Sequence, residues 1–340
     1  SDNPTIRDLN FNTYNADNVF NEAVFARLFF QIGLVNEYLR ETTDEKLASR
    51  GVSEELKAQI KTYRAEARFL RALTFYHAID LYGKMPFATE ADPIGTKPVM
   101  QSRQFMFDYV IGELNSIEAE LPAPRTNEYG RADKAAVWML KSKLFINGKV
   151  YTGTDKSTEA LAEVEKVIGS AYKVAQIPYA NLFKADNNTN GAQEEIIFPI
   201  NFDGIQTKTY GGTTFLAHAS VGGKMKPDNY GINGGWAGIR TTAAFVDKFN
   251  GSTGDQRGNF FTDGQNKEIK DVGAFTDGYA VQKFSNLTKA GVQGSDKSGD
   301  FVDTDFPIFR LADAYLMYAE CNLRGAGGTN TTALGYVNAL

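Results

Sequence analysis

The stretch EELKAQIKTYRAEARFLRALTFYHAIDLY, residues 54–82, decides the fold. Leu56, Ile60, Tyr63, Ala67, Leu70, Thr74, His77 and Leu81 recur at three- and four-residue steps, the period of one helix face. In the C-terminal half Phe69, Ala72, Phe75 (or Tyr76) and Ile79 add a second stripe, so the helix is packed on two sides. At ~1.5 Å per residue it is about 43 Å long. Gly83 ends it and Pro86 prevents its return. A helix this long and doubly apolar needs helical neighbours.

Those neighbours can be read outward from it. Upstream, Val19, Ala23, Ala26, Phe30 and Leu34 form one apolar row and Phe25, Leu28, Ile32, Val35 and Leu39 another, predicting a two-sided helix over 18–40. Residues 1–18 before it are polar and turn-rich. Downstream, helices are predicted over 105–120, 132–151 and 158–168. The last two form a hairpin across the turn from Gly153 to Ser157. Small residues at the contacts (Ala135, Ala136, Ala160, Ala162) make these pairs resemble tetratricopeptide repeats in helix length and pairing, although the full consensus is absent. A final apolar helix is predicted over 307–323, and another begins near Thr332 and runs to Leu340 without a cap or breaker.

The middle differs. Of 32 glycines, nine lie in residues 1–170, nineteen in 171–300 and four in 301–340. Glycine weakens a helix by roughly 0.5–1 kcal/mol relative to alanine, so the centre is dominated by loops. Short extended runs are predicted at 195–200 and 279–284, and a short helix capped by Thr241 or Thr242 carries Phe245, Val246 and Phe249.

Composition excludes several functions. The 340 residues carry 36 basic and 41 acidic side chains, a net charge of −5 without any Lys/Arg cluster, so no nucleic-acid footprint is present. No apolar run approaches the ~20 residues that span a bilayer. Cys321 is alone, so no intrachain disulfide forms, and one cysteine with two histidines argues against a zinc site, for which three or four such ligands are the norm. The sequence starts at Ser1 without a signal peptide, as expected of a chain processed or cut from something longer.

Catalytic motifs are missing. There is no G-x-S-x-G elbow and no G-x-x-x-x-G-K-[ST] loop, and the glycines of 231–238 do not fit G-x-G-x-x-G. His77 sits on the apolar face of its helix and reads as a hydrogen-bonded core residue; His218, in a Gly/Ala/Ser loop, is an open general-base candidate without a partner. Asp263, Glu268 and Asp271 are the acids a glycosidase would draw on, but they also suit solvated turns. Asp186, Asn188 and Asn190, followed by Gly191, imitate the start of a calcium loop; Ile197 stands at the twelfth position, where a bidentate Glu belongs. A polar turn before a strand explains the same residues. No other cofactor is indicated.

Trp236 is more informative. It lies in YGINGGWAG, residues 230–238, among residues that contribute little bulk. A flat ring held there can stack on the apolar face of a sugar, or plug the loop onto the core. On the first reading Tyr230 and Tyr210 are further stacking candidates, with Asn229, Asn233 and Arg240 as hydrogen-bonding partners for hydroxyls.

Several segments together resemble the SusD/RagB family of Bacteroidetes outer-membrane nutrient-binding lipoproteins. Ala65-Glu-Ala-Arg-Phe-Leu-Arg-Ala72, continued by Phe75-Tyr76, Asp80-Leu-Tyr-Gly83 and Met85-Pro86, carries the strongest signature. Gly130-Arg131-Ala132, with Lys134-Ala-Ala136, Leu140-Lys141 and Leu144, matches a second. Phe25, Phe29, Ile32 and Asn36 match a third, with Phe25 where Trp is usual. Glu195-Ile-Ile-Phe-Pro-Ile200, Trp236 with Gly238, Phe245-Val246, Asp255 with Arg257, and Lys283-Phe284 follow in the family's order. Asp305-Phe-Pro-Ile-Phe-Arg-Leu-Ala-Asp313 and Leu316-Met-Tyr-Ala-Glu320 close the series.

The resemblance implies a mainly α fold on a tetratricopeptide-like helical-pair scaffold (an α/α superhelix) with a loop-rich, short-strand, ligand-facing region. It implies a single domain over 1–340, shortened at both ends, with scaffold at about 18–170 and 301–340 and ligand-facing loops at about 171–300. It further implies no catalysis. The implied protein captures oligo- or polysaccharide at the outer face of the outer membrane, held by a lipidated cysteine absent here, and delivers it to a SusC-like TonB-dependent transporter. A helical-repeat module that grips a protein or peptide is the rival reading. On either reading Arg64, Arg68 and Arg71 hold helix contacts, and Cys321 is a core thiol.

Overall fold

In the computed structural model, which describes residues 4–251 and 254–340, the helix expected over 54–82 is present residue for residue. Ser53 caps it by accepting the Leu56 N–H, and Gly83 closes it at φ 73°. The first three residues of the turn-rich start lie outside the described residues.

In chain order the elements begin with α1 (Pro4–Phe11), α2 (Val19–Glu41), α3 (Asp44–Ser49), α4 (Glu54–Tyr82), β1 (Met85–Phe87) and β2 (Val99–Gln101). There follow α5 (Arg103–Ile117), α6 (Lys134–Ile146), α7 (Gly148–Thr152), α8 (Ser157–Ile168), β3 (Ile196–Ile200) and α9 (Gly212–Ala219). The last are β4 (Arg240–Thr241), α10 (Ala243–Val246), β5 (Phe260–Phe261), β6 (Tyr279–Val281), β7 (Phe306–Arg310), α11 (Leu311–Leu323) and α12 (Asn330–Asn338). The fold is mainly α, on helical pairs of tetratricopeptide type, with a loop-rich region of short strands. None of the described helices is long and apolar enough to cross a membrane.

The structure corrects four local expectations. The helix predicted over 132–151 starts later, because Asp133 leaves the helical region and caps it, accepting the Ala136 N–H. It also breaks at Asn147, where Gly148 lies so close to Lys156 that a Cβ would meet that side chain at 2.9 Å. The helix predicted over 307–323 opens as strand β7, since Pro307 biases Phe306 to extended backbone and β3 supplies a pairing partner. The polar start contains α1, and the glycine-rich middle contains α9.

The chain forms two compact units. The helical unit comprises Tyr14–Tyr172 and Phe309–Leu340. In it α4 packs against α2 and α5, α6 against α8, and α11 against α8 and α12. Phe69, Phe75, Phe107 and Leu114 are fully buried at these contacts. The arginines of α4 serve the scaffold: Arg64 donates to the Leu39 carbonyl and the Thr42 hydroxyl, Arg68 to Glu113 and Ser116. Arg71, only 1% exposed, reaches Asn36, Glu90 and Glu113. His77 is half-buried, and burial holds its imidazole below the usual range.

Cys321 is wholly buried on α11, and burial pushes its thiol up to about 11. A thiol so protonated and shielded reacts slowly. We expect a thiol-specific alkylating reagent to leave the folded protein unmodified at pH 8 and to label one cysteine after denaturation, as read by mass spectrometry.

The second unit comprises Ser1–Thr13 and Lys173–Ile308. Its core is formed by Ala217, Val221, Met225, Ile232, Ala280 and Val302. Beside that core β4, β6 and β5 make an antiparallel sheet with Arg240 opposite Ala280 and Phe260 opposite Val281.

Candidate functional site

The aromatic-bearing loop of 231–239 is strapped to α9 by main-chain bonds. Trp236 N–H donates to the His218 carbonyl at 2.8 Å, Ala237 to Val221 at 2.9 Å, and Gly238 and Ile239 to Ala219 at 2.8 and 2.7 Å. The strap lies so close that a Cβ on Gly235 would sit 2.2 Å from the Val221 carbonyl oxygen. Only glycine fits there, so this position sets the approach of the next residue.

The indole of Trp236 is laid on the imidazole of His218, with centroids 4.6 Å apart and planes 20° from parallel. His218 is itself 1% exposed, with Nδ1 2.7 Å from the Gly234 carbonyl oxygen and Nε2 3.1 Å from that of Asp300. The ring nitrogen that carries the proton donates to its carbonyl and holds the ring in place. The general-base candidate of the sequence is the underside of the Trp236 platform.

Around the indole stand two more exposed rings. Tyr210 has its centroid 6.2 Å from that of Trp236, and Phe215 lies at 6.1 Å on the other contact. Trp236 and Phe215 are each 42% exposed and Tyr210 is 64% exposed, a strong departure from the burial of large rings. Helix α9 explains Phe215: Thr214, Ala217 and His218 take the inner face, which leaves position 215 outside. Tyr210 rests on Phe301 at 5.0 Å, and the Lys208 ammonium lies 5.9 Å from the Phe301 ring.

Polar groups border these rings. Asn233 donates its amide to Asp300 Oδ1 at 2.5 Å, and its N–H to the Gly299 carbonyl at 3.1 Å. Asp296 organises the same turn: its carboxylate accepts from the Ser298 hydroxyl and from the N–H groups of Ser298, Asp300 and Phe301. Burial works to raise that carboxyl, but these donors outweigh it and hold it below its usual range. Asp300 and Phe301 are positioned as a result.

The structure brings Trp236, Tyr210 and Asn233 together, the last through Asp300. It separates the other expected site residues from them. Tyr230 is half-buried against the core and donates its hydroxyl to Gln282 at 2.6 Å, away from the Trp236 rings. Arg240 turns inward and spends its guanidinium on the carbonyls of Val272, Ala274 and Asp277, which fold the loop beside β6. Asn229 is exposed on the turn Pro227–Tyr230. Sequence reasoning missed Phe215, Phe301 and Asp300.

The calcium-loop residues form a turn. The Asp186 carboxylate accepts the Lys289 N–H at 3.0 Å and the Asn190 side-chain amide at 3.0 Å, while Asn188 is exposed. Of the glycosidase candidates, Asp263 pairs with Lys224 at 2.8 Å and Asp271 accepts the Gly273 N–H, as acids of surface turns do. Among the described residues no cluster of three or more His, Cys, Asp or Glu side chains could hold a metal ion.

Comparison with known proteins bears on this arrangement. The sequence profile of the SusD family matches residues 255–340. Starch-binding protein SusD of Bacteroides thetaiotaomicron is 34% identical over 366 aligned positions, which cover 94% of this chain. The chain belongs to the SusD family. It spans 62% of the length of that relative. Among solved structures, a SusD-like protein from Bacteroides fragilis superposes with a TM-score of 0.70 at 17% identity, covering 98% of this chain and 69% of the other. Surface glycan-binding protein A of B. thetaiotaomicron, solved with laminarihexaose, gives 0.59 at 20% identity over 83% of this chain and 61% of the other. These likenesses show a shared SusD-like fold.

Proposed function

We propose that this chain binds an oligo- or polysaccharide without chemically altering it. The observation that carries the reading is the exposed platform of Trp236, Tyr210 and Phe215, backed by the buried His218 ring. Sugar rings present C–H faces that stack on such surfaces, and their hydroxyls suit the Asp300 carboxylate and the Asn233 amide at its border. The names of two similar proteins, one starch-binding and one solved with laminarihexaose, support a glycan ligand and make starch the first to test. By the same likeness we extend the reading to a lipid-anchored place on the outer face of the outer membrane and to hand-over to a SusC-like TonB-dependent transporter.

Affinity electrophoresis and calorimetry against a polysaccharide panel, with Trp236→Ala beside the parent, test the proposal. Affinity retained in the variant would remove Trp236 from the site, and release of product from any glycan would end the non-enzyme reading. We expect no cofactor, since the Asp186 carboxylate already accepts the Lys289 N–H and the Asn190 side-chain amide. Chelation with EDTA, and then excess calcium, are expected to leave glycan affinity and thermal midpoint unchanged. A calcium-dependent rise in either would establish a cation site.

A further inference from the structure

The unit that carries the Trp236 platform also contains a cleft of about 450 Å³ built from other residues. That volume lies within the roughly 300–1,000 Å³ of small-ligand pockets. One wall is a triad of phenylalanines, Phe245, Phe249 and Phe260, packed edge to face with centroids 5.4–6.0 Å apart. Phe245 is half-exposed, although its two ring partners are close enough to have covered it.

The opposite character is polar and cationic. Lys248 and Lys283 both line the cleft, the Lys283 ammonium lying 4.4 Å from the Phe183 ring, so Lys248 is the cation open to a ligand, while the charges of Asp255 and Arg257 cancel in a two-point pair (Nε–Oδ1 and Nη2–Oδ2, both 2.9 Å). The lining therefore has a net charge of about +2 in a chain whose net charge is −5. Lys248 is exposed and has no carboxylate partner among the described residues. Amide orientation is fixed as well. The Tyr230 hydroxyl donates to Gln282 Oε1 at 2.6 Å, and Gln282 Nε2 donates to Asn259 Oδ1 at 3.1 Å. This order leaves the Asn259 amide NH2 as the terminal donor of the relay. Gln256, whose Oε1 accepts the Tyr179 N–H at 2.8 Å, presents its NH2 in the same way.

We propose that this cleft is a second saccharide site and that it takes an acidic sugar, a uronate, independently of the Trp236 platform. A sugar ring lies on the Phe245 face, its hydroxyls accept from the Asn259 and Gln256 amides, and its carboxylate meets Lys248. Tyr230 is here a positioning residue: it acts through Gln282 and does not touch the sugar.

Calorimetric titration of the whole chain with digalacturonic acid, neutral galactobiose and succinate tests this. The expected result is saturable digalacturonate binding at about millimolar Kd or tighter, with galactobiose and succinate each about tenfold weaker. Phe245→Ala and Lys248→Gln are each expected to weaken digalacturonate binding about fivefold or more; the thermal midpoint should be unchanged in Lys248→Gln, whose side chain is exposed, and lower by a few degrees in Phe245→Ala, which loses its contacts with Phe249 and Phe260. Trp236→Ala should bind digalacturonate as the parent does. No saturation by about 10 mM, equal binding of galactobiose or succinate, or unchanged affinity in both cleft variants would overturn the proposal. Loss of digalacturonate binding in Trp236→Ala alone would also overturn it, by placing the acidic sugar on the platform. Starch titrated in parallel reports on the platform separately, so failure of one site is not read as failure of the other.

Discussion

Trp236→Ala is expected to lower affinity for the chain's neutral glycan about thirtyfold, equivalent to about 2 kcal/mol, the size of an interface hot spot. The reason is geometric. Of the three exposed rings, only the indole is stacked on a buried ring that is itself hydrogen-bonded to a main-chain carbonyl, so it pays little ordering entropy when a sugar stacks on it. Tyr210 and Phe215 make contacts at 6.1–6.2 Å and frame that surface without replacing it. Because the bonds that seat residues 236–239 come from the main chain, truncating the side chain should leave the thermal midpoint within a few degrees of the parent.

Gly235→Ala provides the complementary test. Its added methyl group would meet the Val221 carbonyl at 2.2 Å, so the strap must shift and carry the indole with it. Affinity is expected to fall although every ring is still present. Parental affinity in Trp236→Ala would show that the platform is not the site; parental affinity in Gly235→Ala would show that the strap does not set it.

The contrast between Trp236 and Arg240 shows where reading the sequence stops. Both stand in one glycine-rich stretch, a setting that makes each a candidate for ligand contact. Their fates differ through partners distant in the chain: Trp236 meets His218, whereas Arg240 meets the carbonyls of 272–277. Tyr230 likewise turns to Gln282. Phe215 was invisible because α9 begins at Gly211 and Gly212, a pair that reads as a breaker. Gly212 takes φ +56° at a place where a Cβ would lie 2.2 Å from the Phe202 ring. Helix α4 was legible from end to end because its cap, its period and its terminator are all local. Strand β7 was not, because its partner β3 is far away in sequence.

The largest stability effect is expected at the charge cluster of α4 and α5. Glu113 receives Arg68 at 2.7 Å and Arg71 at 2.8 Å, and Arg71 is among the most buried side chains of the helical unit. Removing the carboxylate charge leaves the Arg71 guanidinium in a dry site with only Glu90 and Asn36, so Glu113→Gln is expected to cost about 3–5 kcal/mol. For a unit of this size that is a fall in thermal midpoint on the order of 10 °C. Arg71→Met should cost less, because it deletes the buried charge itself while Glu113 keeps Arg68 and Glu90, which is partly exposed, turns to water. The order is the test: if Arg71→Met is the more destabilising, packing of the arginine stem outweighs electrostatics here. Acid supplies a second test. Burial raises the Glu113 carboxyl, but Arg68 and Arg71 outweigh it and hold its folded pKa below the usual carboxylate value. Its contribution is therefore present above the unfolded value of about 4.3 and is lost as pH falls through the folded one. Chemical denaturation of parent and Glu113→Gln at pH 7 should show the full difference, and at pH 3 a smaller one. A gap that stays constant between the two would mean that the glutamate stabilises α4 and α5 by its shape and not by its charge.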